Sequence, residues 1–307
     1  MQWNRLCCRV CFLFSLLIGA GCGVPSQPQP LQEGRLSVVA TYSILGDWVQ
    51  QVGGSRVQVM TLVGPGGDAH TYQPVPQDSV SLGRVAIVFE NGLGFETWMD
   101  RLFESSGSSA QRVVVSRSIV PRPIGTLGNI EEQDPHVWHD PVQAIAMVQV
   151  IADSLATADP ANAEFYEARA DGYLEQLRRL DAWIAEQTAR VPEARRVLVT
   201  THDTFGYFAE RYGFEILSVM GSVSSEVADP SAAEMAAVVR QIRSRNVPAV
   251  FAENILSPRL TEQIAREADV TLVATLYTDA LGPADSPGAN YLSMMRFNVQ
   301  AIVEALQ

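Results

Sequence analysis

Apolar residues recur along this chain in two rhythms. Short aliphatic and β-branched runs occupy 36–40, 57–63 and 85–89, and again 197–201 and 270–276. Each run has strand length and ends in glycine or polar residues. The first is followed by an amphipathic stretch to Val52, closed by Gly53-Gly54; the run at 197–201 leads to another, through Tyr212 and closed by Gly213. Strands alternating with helices predict parallel sheets covered on both faces. The order also repeats: setting residue 41 over 201 pairs Thr41 with Thr201, Gly46 with Gly206 and Gly53 with Gly213. Val250-Phe251-Ala252-Glu253-Asn254 echoes Val88-Phe89-Glu90-Asn91. An internal duplication is the reading, and it places Tyr42 and His202 at corresponding strand-to-helix turns.

A third pattern separates the two halves. Asp159-Pro160 offers a cap followed by proline at a first helical position. From there to Arg190 there is no further proline and one glycine, Gly172, while Phe165, Ala168, Tyr173, Leu177, Leu180 and Ile184 keep helical spacing. A helix of ~30 residues would be ~45 Å long. The expected fold is therefore α/β, two Rossmann-like lobes with parallel sheets joined by one long rigid helix. The expected bounds are 35–158 for the first lobe, 159–191 for the linking helix and 192–307 for the second.

The N-terminus reads differently. Arg5 and Arg9 precede the apolar run 10–20, which closes on Gly19-Ala20-Gly21-Cys22. This is the pattern of a secretory signal over 1–21, too short for a comfortable membrane span. Cys22 directly after small residues resembles a bacterial lipobox, with Gly19 standing where leucine is usual; it implies acylation of Cys22. Residues 22–34, rich in proline and glutamine, form a tether. The protein is thus expected outside the cytoplasmic membrane, held by its lipid. All four cysteines lie in the first 22 residues, so the body has no disulfide, thiolate ligand or thiol nucleophile.

Composition narrows the function. The chain of 307 residues is 47% hydrophobic and 18% charged, as a globular protein should be. Its net charge is −12 and its 22 basic residues, all arginine, form no run, which argues against nucleic acid. The chemistry lies in four histidines. His136 and His139 share a proline-bracketed loop, Asp134-Pro135-His136-Val137-Trp138-His139-Asp140-Pro141. His70 follows the run 57–63 across a glycine-rich turn, and His202 follows the run 197–201. Asp279 follows the run 270–276. Ligands in open α/β sheets sit beyond the carboxyl ends of strands, so His70 and His136 from one lobe would meet His202 and Asp279 from the other around a single metal ion.

Four stretches then resemble one family. Gly-Asp-Ala-His-Thr-Tyr-Gln-Pro (67–74), Asp-Pro-His-Val-Trp (134–138), Thr-His-Asp-Thr-Phe-Gly-Tyr-Phe (201–208) and Tyr-Thr-Asp-Ala-Leu (277–281) are similar to motifs of the zinc- and manganese-binding proteins of bacterial ABC importers, the cluster A-I (cluster 9) solute-binding proteins. The resemblance runs from about residue 36 through the final helix. It implies a lipid-anchored receptor, monomeric, that delivers Zn²⁺ or Mn²⁺ as cargo to a membrane permease, with His70, His136, His202 and Asp279 as ligands. The family uses the first histidine of its Asp-Pro-His motif, which leaves His139 a supporting or substitute role. Some manganese receptors of the family carry glutamate where His202 stands, which leans the reading toward zinc. The histidine-rich acidic loop of many zinc receptors is missing, because residues 119–133 contain no histidine apart from the motif that follows.

Two rivals come from other classes. A secreted zinc hydrolase would want three ligands, an open position and a general base; Glu253 is the best spare carboxylate, and no His-Glu-x-x-His helix exists. A surface adhesin would carry its metal incidentally. Because neutral imidazoles are required for ligation, affinity is expected to fall as pH drops through ~6.5.

Overall fold

Seven residues, Leu36–Tyr42, form strand β1, buried from Val38 onward because neighbours cover both of its faces. The chain turns at once into helix α1, Ser43–Gly53, whose Ile44, Leu45, Trp48, Val49 and Val52 put one face in the core. Gly54 ends the helix at φ 52°, a conformation that costs glycine little. Strand β2 is Val57–Val63, helix α2 Pro76–Leu82, strand β3 Ile87–Glu90, helix α3 Met99–Ser106 and strand β4 Gln111–Val114. The four strands make one parallel sheet in the order β2-β1-β3-β4. These elements come from a computed structural model that describes residues 34–124, 133–225 and 230–307. The signal sequence, Cys22, nearly all of the tether and residues 125–132 lie outside the described residues.

The second lobe repeats the plan with shorter strands. Strand β5 is Val197–Thr200, helix α6 Gly206–Tyr212, strand β6 Glu215–Ser218, helix α7 Ala232–Ser244, strand β7 Ala249–Glu253, helix α8 Arg259–Ala268 and strand β8 Thr271–Leu276. β5 pairs with β6 and β7 with β8, both parallel, as two separate ladders rather than one sheet. The register of β7 with β8 shifts between Phe251 and Glu253. At that shift Glu253 turns its carboxylate to the backbone that follows β5: Thr201 and His202 donate their N–H groups to it at 2.7 and 3.0 Å. A side chain thus joins the two ladders where the site lies. Gly53 and Gly213 end α1 and α6, as the alignment of the two halves predicts, although α6 begins only at Gly206.

The linking helix is unbroken, and the helix before it packs along it. Helix α4, Pro141–Ala158, packs against helix α5, Ala163–Thr188, across a 3₁₀ turn at Pro160–Asn162. The expected start at Asp159-Pro160 fails for a local reason. The Asp159 carboxylate accepts from Asn162 Nδ2 and Tyr166 Oη, both at 2.7 Å, and caps no helical N–H. From Ala163 the helix runs unbroken through Gly172 for 26 residues, ~39 Å. It packs on α1 and on the last helix, α9, Tyr291–Leu306, so one apolar core runs through both lobes.

The glycines give a direct test. Gly172 is exposed and a β-carbon there would meet nothing within 4 Å, whereas one at Gly53 would fall 2.2 Å from Val57. Gly172→Ala should therefore stabilise the protein by about 0.5–1 kcal/mol. Gly53→Ala should destabilise it by about 1–3 kcal/mol through overpacking. Urea denaturation of the two variants beside wild type checks both signs.

Candidate metal centre

Each candidate ligand is presented by a turn that its own sequence dictates. His70 lies past β2 on a loop where Gly66 takes φ 73°. Its N–H and the Thr71 hydroxyl both donate to Asp68, at 2.9 and 3.0 Å, which fixes the turn. Its ring stands edge-on to Phe95, with centroids 4.7 Å apart. In the proline-bracketed loop, Asp134 Oδ1 accepts from the His136 backbone N–H at 3.0 Å and lies 2.8 Å from its Nδ1. One carboxylate oxygen therefore sets both the backbone and the ring. Glu253 does the same for His202: Oε1 holds the backbone N–H and Oε2 lies 2.5 Å from Nδ1. In both rings Nε2 is left to face inward.

The four inward groups converge. Nε2 of His70 and His136 are 3.3 Å apart. Asp279 Oδ2 is 3.3 Å from His70 Nε2, 3.7 Å from His136 Nε2 and 3.2 Å from His202 Nε2. One donor atom from each residue lies within 4.8 Å of all the others, and all four residues are buried. Four donors set tetrahedrally around an ion at ~2.0–2.2 Å are separated by ~3.3–3.6 Å. The four distances above, 3.2 to 3.7 Å, are close to that, and the remaining pairs lie within 4.8 Å. His136, His202 and Asp279 are wholly enclosed, and His70 alone keeps a sliver of exposure, 5%.

Charge is arranged as tightly as shape. Burial opposes an imidazolium at His136, but the carboxylates of Asp279 and Asp134 overcome it and lift the group to about 9. His202 is likewise raised well above its ordinary value against burial, by Glu253 and Asp279. His70 has no carboxylate behind it, and burial pushes it down despite Asp279. Burial would raise Asp279, yet His202 and His136 hold it well below the usual carboxylate range. Without metal, then, two imidazoles are held toward the charged form by three buried carboxylates, Asp134, Asp279 and Glu253, of which Asp134 also pairs with Arg122 at 3.2 Å. A divalent cation carries the same charge as the protons of two such imidazoles.

The structure brings together His70, His136, His202 and Asp279, and leaves His139 outside that group. His139 stacks on Phe205 at 4.3 Å and its Nε2 lies 3.3 Å from Thr204 Oγ1. Burial and the neighbouring His136 push its pKa down to about 3. The Thr204 hydroxyl donates in turn to Asp279 Oδ1 at 3.1 Å, so His139 reaches the cluster only through Thr204. Asp134 and Thr204 escape sequence reasoning because a threonine or aspartate two residues from a histidine is unremarkable until the turn is folded. Glu253 gives Oε1 to two backbone N–H groups and sets Oε2 2.5 Å from His202 Nδ1.

The Asp279 loop is also where the lobes touch. Trp138 Nε1, two residues past His136, donates to Thr278 O at 2.9 Å. Gly66 N–H donates to Leu281 O, and Leu281 N–H to Ser43 Oγ, both at 2.9 Å. Asp68 accepts from Ser225 Oγ at 2.6 Å nearby.

Known proteins share this design. The family described as the periplasmic component A of zinc-uptake complexes, ZnuA, matches residues 38–305. The manganese-binding lipoprotein MntA of Halalkalibacterium halodurans is 33% identical over 302 residues, covering 97% of this chain and 99% of that one. The iron-binding protein YfeA of Yersinia pestis is 30% identical over 293 residues, or 95% and 92% of the two chains. The solved structure of the periplasmic zinc-binding protein TroA from Treponema pallidum matches with a TM-score of 0.83 and 32% identity, covering 89% of this chain and 99% of that one. Matched through both lobes and the long helix, the chain belongs to the ZnuA family, whose members are metal-binding components of ABC importers and not enzymes.

Proposed function

We propose that this protein is an extracytoplasmic receptor, anchored by lipid on Cys22, that captures a divalent transition metal ion on His70, His136, His202 and Asp279 and delivers it to an ABC permease. The observation that carries the reading is the buried cluster, whose four inward donor atoms lie within 4.8 Å of one another and whose two raised imidazoles a divalent cation can replace in charge. The organisation proposed is a signal over 1–21, a tether over 22–34, a first lobe over 35–158, a linking segment over 159–191 built on α5, and a second lobe over 192–307, acting as a monomer.

Zinc is the favoured cargo and manganese the next. Relatives named for manganese, iron and zinc leave the metal open. Three imidazoles and one carboxylate suit four-coordinate zinc, while manganese prefers more oxygen ligands. Elemental analysis of protein isolated from its own host, paired with competition between Zn²⁺ and Mn²⁺, tests this choice. Protein loaded with neither, and binding neither, would overturn the receptor reading.

Two further measurements bear on the site. Asp279→Ala removes the one carboxylate at the centre of the cluster and should weaken Zn²⁺ binding at least about 100-fold, the scale of breaking a buried charge pair. His139→Ala, one residue removed from Asp279, should cost less than about tenfold. Competition against a chromophoric chelator gives both values, and the reverse order would reassign the fourth ligand.

Proton release is the other. His136 and His202 carry protons below their raised pKa values, and a metal ion must displace them. Binding at pH 7 should release about two protons, read from the buffer dependence of the calorimetric heat, with the number falling as pH rises toward 9. Affinity should accordingly fall with pH from about 9 downward, a higher window than isolated histidines near ~6.5 would give.

A further inference from the structure

One residue beyond the end of β3 in one lobe and of β7 in the other stands an asparagine whose amide is spent on a ligand-bearing loop. Asn91 follows β3 and Asn254 follows β7, each directly after a glutamate, Glu90 and Glu253. Asn91 is fully buried. Its Nδ2 donates to Pro135 O at 3.0 Å, on the residue immediately before His136, and its Oδ1 accepts from Tyr42 Oη at 3.2 Å. Asn254 spans Asp279: Oδ1 accepts from Thr278 N–H and Nδ2 donates to Ala280 O, both at 3.0 Å. The backbone group just before the ligand and the one just after it are held by a single planar amide.

Each asparagine is itself fixed from behind. Asn91 N–H donates to Glu96 Oε1 at 2.7 Å, and its carbonyl accepts from Ser116 Oγ at 2.6 Å. Asn254 N–H donates to Leu276 O at 2.9 Å, which ties it to β8. The loop beyond is held by a second amide, since Asn298 accepts from Tyr277 N–H at 3.0 Å and donates to Tyr277 O at 2.6 Å.

We propose that Asn91 and Asn254 are paired positioning residues of the metal site, setting the backbone that carries His136 in one lobe and Asp279 in the other. This rests on the receptor reading above. The chemistry explains the residue type. Thr278 N–H needs an acceptor and Ala280 O a donor, and a carboxamide offers both in one plane. Aspartate keeps the acceptor but turns a second oxygen on Ala280 O; leucine of similar size keeps neither. Asp279 accepts a hydrogen bond on Oδ1 and meets three imidazoles with Oδ2, so a shift of its backbone alters every one of those distances. Supporting residues around metal sites are typically worth about 10–100-fold in affinity.

The test is a double-mutant cycle on the full body of the protein with Co²⁺ as a visible probe and Zn²⁺ in competition. Asn254→Asp should weaken both ions about tenfold, raise their dissociation rates and change the Co²⁺ d–d spectrum, while the same substitution added to Asp279→Ala should cost nothing more. Asn91→Asp should behave alike against His136→Ala. Should Asn254→Asp fail to fold, Asn254→Ser, which keeps a small polar group, takes its place in the cycle. Unchanged affinity and spectrum, or losses that simply add to that of Asp279→Ala, would overturn the positioning role and leave a structural one. Absence of Co²⁺ and Zn²⁺ binding in the unmutated protein would instead sink the receptor reading itself.

Discussion

A buried carboxylate must find its charge partners inside the protein, and Asp279 finds two imidazoles raised toward the charged form, His136 and His202, with His70 beside them. Leaving such a group unpaired costs several kcal/mol, so nothing about its surroundings is free to vary. The imidazoles need their Nε2 atoms turned inward, which requires something to hold Nδ1. Asp134 and Glu253 do that for His136 and His202. Those two carboxylates in turn favour the protonated forms of His136 and His202. Strand ends, proline brackets and the glycine-rich turn before His70 follow from the same demand: backbone that is irregular and yet fixed.

The lobes answer this demand jointly. One apolar core runs from β1 through α5 to α9, and α5 touches helices of both lobes. The turn at Asp159-Pro160 joins α4, the last helix of the first lobe, to the linking helix, with α4 laid along α5. Since α4 begins at Pro141, directly after the loop that carries His136, this packing also fixes where that histidine sits.

Much of this was legible from residue types alone. His70, His202 and Asp279 follow apolar runs, and His136 sits between prolines; such positions speak for chemistry before any coordinates exist. The strand bounds 57–63 were readable because β-branched residues fill them and turn residues close them. Other features were not readable, for reasons that are physical. Asp134 and Thr204 act through turns whose geometry no local pattern announces. Asn254 and Asp279 meet across 25 residues of chain, a pairing that hydrophobic periodicity does not encode. The long helix begins at Ala163 rather than at Asp159-Pro160 because Asn162 and Tyr166 claim the Asp159 carboxylate that would have capped it. The strands of the second lobe pair as two ladders, and Glu253 links them by giving its carboxylate to Thr201 and His202.

The Asp279 loop has a consequence for how the molecule comes together. Thr278 O, Leu281 N–H and Leu281 O take their partners from Trp138, Ser43 and Gly66, all in the first half of the chain. A second lobe made alone would leave these three backbone groups to water and its ligand loop unset. The Asp279 loop is therefore anchored by the first half of the chain, and a second lobe alone would present it without those three hydrogen bonds.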